Sequence, residues 1–237
     1  MPWLKRLFDL VIALVLLTLF SPLIVLLAIF IFLYDFSSPL YVATRIGKGG
    51  TPFKMVKLRS MVIDAEDKGG SSTSTRDSRI TPVGRYVRAL KLDEIMQFWN
   101  VLVGDMSIVG PRPNVPDGVA VYTNEEMRLL SVRPGVTDFA SIVFADEGAI
   151  LSAYDDPDEA YDQLIRPWKN RLALFYLDHQ STMLDLRLMF LTAVAVVSRP
   201  TALAAIAREL RNLGAPASLV EIARREQPLQ VTPPPGI

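Results

Sequence analysis

Residues 91–113 read KLDEIMQFWNVLVGDMSIVGPRP, and they carry the densest structural and chemical signals in the chain. Apolar residues recur there at i, i+3, i+4 and i+7, which predicts a helix with one apolar face. That face consists of Ile95, Phe98, Trp99 and Leu102. Two adjacent carboxylates, Asp93 and Glu94, stand at the start of the predicted helix.

The position of Asp93 suggests a chemical role. A carboxylate at an N-cap or in the first turn is favoured by the helix dipole, so Asp93 is predicted to be ionised and able to attack an electrophile. Neighbouring helical residues diverge by about 100°, so Asp93 and Glu94 share one site only if Asp93 lies at the cap. An ordinary acidic helix cap is the alternative for an isolated Asp-Glu pair.

A rigid arginine follows the two carboxylates. Pro111 and Pro113 each fix a backbone φ angle on either side of Arg112. Arginine is suited to binding phosphate in a bidentate way. Carboxylates followed by a fixed guanidinium indicate phosphate chemistry and weigh against the ordinary cap.

Composition restricts the classes of protein. The 237 residues suffice for one domain with a core and a membrane element, and 25 basic residues balance 25 acidic ones. The basic residues cluster after the apolar N-terminus, where such groups usually meet anionic headgroups or phosphates rather than nucleic acid. The clustered residues are Arg45, Lys48, Lys54, Lys57, Arg59, Arg76, Arg79, Arg85, Arg88 and Lys91.

Absent residue types exclude some chemistry. There is no cysteine, so no disulfide, thiolate nucleophile or cysteine-type zinc site can form. The single histidine, His179, cannot form a histidine cluster and is interpreted as structural.

An apolar segment near the N-terminus predicts a membrane element. No charged residue occurs from Leu10 to Tyr34, and a helix of that length reaches about 37 Å, enough to cross a bilayer core of about 30 Å. The run is too long for a cleaved signal peptide and has no small-residue cleavage site. A single transmembrane helix is the simplest interpretation.

Two features favour a re-entrant helix instead. Pro22, after Ser21, lacks an N–H and predicts a kink in mid-segment, where the hydroxyls of Thr18 and Ser21 can satisfy the freed backbone groups. Basic residues occur on both sides of the segment, starting with Lys5 and Arg6, and the positive-inside rule places both flanks in the cytoplasm. A single span cannot satisfy that rule.

The stretch 91–113 resembles the signature of the bacterial sugar transferases, the monotopic phosphoglycosyl transferases. Their pattern is roughly LDE-x-PQ-x-WN-x-L-x-GDMS-x-VGPRP, and Met96 stands where that pattern has its first proline. The resemblance extends from about Lys5 to about Pro200. It implies a monotopic protein whose Ser-Pro break, at Ser21 and Pro22, turns the helix back through one leaflet.

Two basic segments also resemble family elements. TPFKMVKLRSM, at 51–61, predicts a short strand and resembles PFK-x-x-KFRSM, which implies that Lys57 and Arg59 lie near the donor phosphates. Contact with lipid headgroups is the alternative for both. RDSRITPVGRYVRAL, at 76–90, resembles DPRIT-x-x-G-x-x-x-R, which implies positive charge from Arg79, Arg85 and Arg88 near Asp93.

Two further segments bear on the site. Residues 67–78 are rich in Gly, Ser and Thr and predict a mobile loop, either a lid or a simple connection. RPGVTD, at 133–138, resembles the family element RPG-x-T, after which the chain departs from the GWAQVNGR-like run of many members. Ala145 occupies the position nearest to the arginine of that run, which indicates a different subgroup.

The resemblance implies a reaction. A sugar-1-phosphate moves from a nucleoside diphosphate sugar, with uridine as the expected base, to polyprenyl (undecaprenyl) phosphate, the first membrane step of glycoconjugate and polysaccharide biosynthesis. Asp93 is the implied nucleophile of a covalent phosphosugar–aspartate intermediate, and Glu94 helps to bind Mg²⁺ with Asp93 or manages a proton. Arg112, Pro113, Arg88, Arg79, Lys57 and Arg59 are the expected substrate-binding and phosphate-binding residues. A nucleotide-sugar hydrolase and a catalytically silent membrane scaffold are the alternatives.

The expected fold is a mainly helical α+β domain with a small sheet, a kinked re-entrant membrane helix and interfacial amphipathic helices. The expected divisions are the membrane helix (1–36), a cytoplasmic catalytic domain (37–200), and a C-terminal helix with a Pro-rich tail (201–237), disordered from 227. An interfacial or buried helix is predicted at 184–197, and another helix at 201–225. The expected location is the cytoplasmic face of a bacterial inner membrane, with both termini cytoplasmic. Membrane lipids and a second copy of the chain in a homodimer are candidate partners, whereas nucleic acid is not.

Overall fold

The longest element is helix α1, Pro2–Asp35, in a computed structural model that describes residues 2–70 and 72–237. By length and composition, its segment Trp3–Asp35 is the one helix among the described residues that can cross a membrane. The helix continues through Pro22 as a single element, and the kink and re-entrant path expected there stay predictions. Ser21 Oγ donates to the Thr18 carbonyl at 2.8 Å, replacing the N–H that Pro22 lacks and allowing the helix to continue.

The N-terminal end of α1 is anchored to the rest of the domain by charged side chains. Lys5 Nζ lies 2.6 Å from Asp185 Oδ2, and Arg6 Nη1 donates to the Val101 carbonyl at 2.7 Å. The buried carboxylate of Asp9 accepts the backbone N–H of Ile108 at 3.1 Å. These bonds fix the start of the apolar helix on the domain surface.

The C-terminal end of α1 is anchored to the same domain. Asp35 accepts two hydrogen bonds of 2.6 Å from the guanidinium of Arg59. Nearby, Ile31 is buried in a small apolar cluster with Leu58 and Val87. Both ends of one long apolar helix therefore contact a single globular body, while most of its large apolar side chains stay exposed.

A β-hairpin follows the helix. Strands β1, Leu40–Ile46, and β2, Pro52–Leu58, pair antiparallel with Leu40 opposite Leu58. Met55 and Leu58 are the buried residues of β2 and, being three positions apart, they point to opposite faces of the strand. The strand predicted within 51–61 is confirmed.

The helix predicted from the opening stretch begins differently from expectation. Lys91 adopts the left-handed conformation (φ 57°), residues Leu92–Met96 form a 3₁₀ helix, and helix α3 follows at Gln97–Val103. A 3₁₀ turn advances about 120° per residue rather than about 100°, so the buried face is shifted relative to an α-helix starting at the same point. The predicted face is wrong at Trp99, which is 50% exposed, while Asn100 and its neighbours Gln97 and Val101 are buried.

Asn100 ties α3 to the hairpin. Its Nδ2 donates to the Lys54 carbonyl at 2.7 Å and its Oδ1 accepts the Val56 N–H at 2.9 Å. The amide thereby pairs with the free edge of β2 as a neighbouring strand would. This contact sets the position of the hairpin end that carries Lys57.

The Asn100→Ala variant is expected to unfold at lower temperature. The change removes the partner of the partly buried Lys54 carbonyl and Val56 N–H, at up to about 1–3 kcal/mol of unfolding free energy each. Thermal unfolding in detergent tests this, with Val103→Ala, an exposed residue of the same helix, as the control. Equal melting temperatures for the two variants would contradict the role of Asn100.

A second small sheet joins two distant motifs. Strands β3, Ser107–Val109, and β4, Gly135–Thr137, run parallel, so the Pro-Arg-Pro segment follows β3 directly. A Cβ on Gly135 would lie 2.1 Å from the Gly110 nitrogen, so glycine is needed at position 135 for this close approach. The two sheets confirm the predicted α+β class with small sheets.

The remaining helices surround this framework and form most of the core. They are α2 (Pro82–Ala89), α4 (Pro116–Ala120), α5 (Phe139–Val143), α6 (Glu147–Leu151), α7 (Pro157–Ala160), α8 (Arg166–His179), α9 (Thr182–Val197), α10 (Arg199–Asn212) and α11 (Ala217–Arg224). Helix α9 buries Leu188 but leaves Phe190 68% and Val197 89% exposed, which agrees with an interfacial helix.

The C-terminal segment corrects two expectations. The helix predicted at 201–225 is two helices, α10 and α11, because Gly214 takes the left-handed conformation (φ 76°) and Pro216 follows it. The tail predicted to be disordered lies against the domain instead. Thr232 N–H donates to the Gln163 carbonyl at 3.2 Å, and Thr123 Oγ1 donates to the Pro235 carbonyl at 2.6 Å.

Candidate active site

The adjacent carboxylates and Arg112 meet at the end of the hairpin. Arg112 donates to both carboxylate oxygens of Glu94, and Lys57 Nζ lies 3.2 Å from Glu94 Oε1. Arg112 Nη1 also donates to the Val136 carbonyl of β4 at 3.3 Å. The end of β2, the 3₁₀ helix and the segment after β3 therefore converge on one carboxylate.

Electrostatics keeps Glu94 ionised. Burial alone would raise the pKa of Glu94, but the charges of Arg112 and Lys57 outweigh burial and hold that pKa well below its usual range. Burial also lowers the pKa of Lys57, although the Glu94 charge opposes this. Glu94 therefore acts as a permanent anion that orients two cations.

Asp93 is in a different state. It is 8% exposed, and its carboxylate accepts no hydrogen bond from residues 2–70 or 72–237. Burial and the neighbouring Glu94 charge raise the pKa of Asp93, whereas Lys57, Arg88 and Arg112 act in the opposite direction. Arg88 lowers the pKa of Asp93, as expected from the sequence. The net rise in that pKa is opposite to what a helix dipole would cause, because burial is the largest contribution.

The structure places Arg88 and Pro113 near this cluster. Arg88 lies in the last turn of α2, with Nη1 3.5 Å from Ser60 Oγ and its charge acting on Asp93. Pro113 lines a shallow cleft with Pro111 and Tyr122. Proline has no side-chain polar group, so its contribution is the backbone geometry around Arg112.

Two predicted phosphate-binding arginines are directed elsewhere. Arg59 is buried, and besides Asp35 its guanidinium donates to the Ser38 carbonyl at 2.7 Å. Arg79 donates to both oxygens of Asp77 and to the carbonyls of Ala65 and Gly70. The structure therefore does not bring Arg59 or Arg79 to Asp93, because nearer acceptors take up their donors.

Arg59→Gln is expected to weaken the anchoring of α1 without weakening donor binding. Removing the guanidinium leaves the Asp35 carboxylate without its bidentate partner, and so the melting temperature is expected to fall by several degrees. Because Arg59 is directed to Asp35 and Ser38, the Michaelis constant for the donor is expected to stay within about twofold of the wild type. Loss of a contact with the bound donor would instead raise that constant. A large rise in that constant at unchanged stability would place Arg59 in the phosphate site.

A metal site is only partly formed by the protein itself. The described residues contain no group of three or more His, Cys, Asp and Glu side chains that could hold a metal ion. Both oxygens of Glu94 accept hydrogen bonds from Arg112, so Asp93 offers the carboxylate that no described cation binds directly. Mg²⁺ is usually held by one or two carboxylates together with substrate phosphates, and Asp93 with a bound diphosphate fits that donor set.

Sequence reasoning missed three charged residues beside the cluster. Glu147 Oε2 lies 2.8 Å from Lys169 Nζ, and the Glu147 charge acts on Arg112. Asp138 is fully buried, accepts the Ser141 N–H at 2.7 Å, and also acts on Arg112. The departure from the family pattern after Asp138 was the one signal that pointed to this segment.

The predicted loop at 67–78 reaches the same segment. Thr75 N–H donates to the Gly148 carbonyl at 2.9 Å, and Ser72 N–H donates to Asp158 Oδ1 at 2.7 Å. Ser71 lies outside the described residues. The loop contacts Gly148, which follows Glu147, and its function as a lid stays a prediction.

The chain is similar to known proteins over most of its length. Residues 1–199 match the family described as bacterial sugar transferase. A putative undecaprenyl-phosphate N-acetylgalactosaminyl 1-phosphate transferase of Bacillus subtilis (strain 168) is 43% identical over 51% of this chain and 68% of the relative. An uncharacterized sugar transferase of the same organism is 35% identical over 82% of this chain and 87% of the relative.

A longer relative carries a more specific name. The UDP-glucose:undecaprenyl-phosphate glucose-1-phosphate transferase of Escherichia coli (strain K12) is 35% identical over 80% of this chain. The match spans 39% of that protein.

Proposed function

Since this chain belongs to the bacterial sugar transferase family and is a sugar-phosphate transferase, we propose that it moves a sugar-1-phosphate from a UDP-sugar to undecaprenyl phosphate. The names of the relatives support both substrates. The observation that carries the proposal is the Asp93 carboxylate, buried and without a hydrogen-bond partner among the described residues, beside Lys57, Arg88 and Arg112.

The proposed reaction has two displacements at one phosphorus. An Asp93 oxygen attacks the phosphorus that carries the sugar, the bond to the bridging oxygen breaks, and UMP leaves with that electron pair. A phosphate oxygen of the lipid then attacks the same phosphorus and releases the Asp93 carboxylate. The product is a polyprenyl diphosphate sugar, and no oxidant or reductant is needed.

The cations around Asp93 suit this reaction. Charge accumulates on phosphoryl oxygens, and fixed positive groups in a site of low water content stabilise it. Glu94 holds Arg112 and Lys57 in place, so we assign Glu94 an orienting role rather than the transfer of a proton. Bound Mg²⁺ would neutralise diphosphate charge, with Asp93 and the substrate phosphates as its ligands.

Arg88→Gln is expected to shift the pH dependence of the reaction. Asp93 must be ionised to attack, so the rate falls as pH drops through the pKa of Asp93. Arg88 lowers that pKa, and its loss raises it, which moves the acidic limb of kcat/KM to higher pH. A pH profile compared with Arg85→Gln, at an exposed position of the same helix, tests this. An unmoved acidic limb would contradict the coupling between Arg88 and Asp93.

We also propose that α1 enters and leaves one leaflet of the bacterial inner membrane, with both termini and the catalytic domain on the cytoplasmic face. The anchoring of both helix ends to one domain supports this, since a helix perpendicular to the bilayer would separate its ends by the full membrane thickness. The exposed apolar side chains of α1 supply the surface that lipid would cover.

Membrane disposition can be tested with single cysteines because the chain has none. Trp3→Cys and Phe36→Cys place thiols at the two exposed ends of α1, and Tyr154→Cys marks the catalytic domain. A membrane-impermeant maleimide is expected to label all three in inside-out vesicles and none in right-side-out vesicles. Labelling of Trp3→Cys and Phe36→Cys from opposite sides would establish a single span.

The activity is tested by UMP release from a panel of UDP-sugars in detergent with Mg²⁺ and undecaprenyl phosphate. Release from one donor that requires the lipid supports the transferase and identifies the sugar. Release without the lipid, together with free sugar phosphate, supports the hydrolase. No release from any donor, with lipid or water as the acceptor, leads to the scaffold interpretation.

A further inference from the structure

The chain continues beyond the matched family region and packs back onto the domain. The family match ends at residue 199, whereas α10 and α11 bury residues in the main core. The buried residues include Leu203, Ile206, Leu210, Leu219 and Ala223. The C-terminal segment is therefore built into the main core, which also contains Ile108 and Val109 of β3.

One arginine of this segment reaches the region beside the active site. Arg225, at the end of α11, has a side chain that is 12% exposed and lies 3.6 Å from Asp146 Oδ2. Its guanidinium also stacks over the ring of the buried Phe144, 5.3 Å from the centroid. Arg199 lies 2.7 Å from the other oxygen of Asp146, so two arginines are within ion-pair distance of one carboxylate.

Asp146 is connected to the active site through its neighbour in sequence. Asp146 precedes Glu147, the first residue of α6, whose carboxylate pairs with Lys169 at 2.8 Å. The charge of Glu147 acts on Arg112, and Arg112 holds Glu94 beside Asp93. Contacts thus run from Arg225 to Asp146 and from Glu147 to Lys169, and the charge of Glu147 acts across space on the Arg112–Glu94 pair beside Asp93.

The backbone of Arg225 adds a second observation. Its φ angle of +56° lies in the left-handed region, which favours glycine and strains other residues. Replacement by glycine relieves this strain while removing the guanidinium. The contribution of Arg225 to positioning can therefore be separated from its contribution to stability.

We infer that Arg225 is a positioning residue for the active site, acting through Asp146 to fix the Glu147–Lys169 ion pair whose charges face Arg112. The C-terminal segment beyond the family region is then a working part of the transferase rather than an appendage. The activity measurements below rest on the proposed function, whereas the exchange measurement does not.

The kinetic test compares Arg225→Gly with Arg224→Ala, which removes a neighbouring arginine that is 45% exposed and 3.9 Å from Glu226. Arg225→Gly is expected to lower kcat/KM by about tenfold or more, because small displacements of catalytic groups have large effects on rate. Arg225→Lys is expected to recover part of that loss. The melting temperature of Arg225→Gly and the kcat/KM of Arg224→Ala are expected to match the wild type.

A double-mutant cycle identifies the route. If Arg225 acts through Glu147, then Arg225→Gly has little further effect on kcat/KM in a Glu147→Gln background. Independent, multiplying effects of the two changes would overturn the inference, and so would wild-type kcat/KM in Arg225→Gly.

Hydrogen exchange tests the same contact without activity. Residues 144–151 are expected to exchange faster in Arg225→Gly than in the wild type and in Arg224→Ala. Unchanged exchange there overturns the inference even if the enzyme is active. If the wild-type protein is inactive with every UDP-sugar, the proposed function is contradicted. The exchange rates of residues 144–151 still decide, independently of activity, whether Arg225 holds this segment.

Discussion

Asp93→Asn is expected to reduce UMP release by at least about 10³-fold, since the variant lacks the carboxylate that we propose as the nucleophile. The protein is not expected to unfold more readily. Burial raises the pKa of Asp93, so ionising this carboxylate opposes folding, and the neutral amide avoids that cost. The expected product is a folded, inactive protein.

Mass spectrometry of the intact protein makes this test specific. Wild-type protein incubated with its UDP-sugar and no lipid acceptor is expected to gain the mass of one sugar phosphate, which Asp93→Asn does not gain. Asp117→Asn, an exposed carboxylate in α4, serves as the control and keeps both adduct and activity. An adduct on Asp93→Asn, or activity within about tenfold of the wild type, would assign the nucleophile to another residue.

Arg112→Lys is expected to lower kcat/KM by about 10²–10³-fold, although the charge is retained. A lysine cannot contact both oxygens of Glu94 and a phosphate oxygen together, because the planar fork of arginine provides the geometry. Lys57 contacts only one oxygen of Glu94, so it does not replace the lost bidentate contact. The loss is expected mainly in kcat, since the interaction strengthens as charge develops on the phosphoryl group.

The control for Arg112 is Arg128→Lys. Arg128 also pairs with two carboxylates, Glu125 and Asp178, but on the exposed surface, where such pairs contribute little. Its activity and melting temperature are expected to match the wild type. If Arg112→Lys retained full kcat/KM, positive charge alone would explain the site and the bidentate geometry would have no role.

Part of the site could be predicted from local sequence. Asp93, Glu94 and Arg112 lie in one short stretch, and Arg88 lies just before it in the last turn of α2. Their short separation in sequence was enough to predict that these four residues lie close together. Arg59 and Lys57 show where this reasoning fails. Both follow the same alternation, but β2 ends at Leu58, and Arg59 turns to Asp35, 24 residues earlier in the chain.

The segment after Asp138 shows a second limit. Its departure from the family pattern was visible in the sequence, but nothing local indicated that Glu147 would pair with Lys169 or that Arg225 would reach Asp146. These partners are 22 and 79 residues apart, respectively. Ion pairs over such separations depend on how α6, α8 and α11 pack.

The sequence by itself determined the apolar helix α1, the strand that carries Lys57, the α+β class and the family. These features depend on hydrophobic period, on proline geometry and on motif spacing, which act between near neighbours. Only the tertiary structure decided which cations face Asp93, that both ends of α1 contact one domain, and that the C-terminal helices pack into the core and bring Arg225 to Asp146. The physical reason is that a buried charge takes whichever partner the packing brings within range, and sequence distance does not limit that choice.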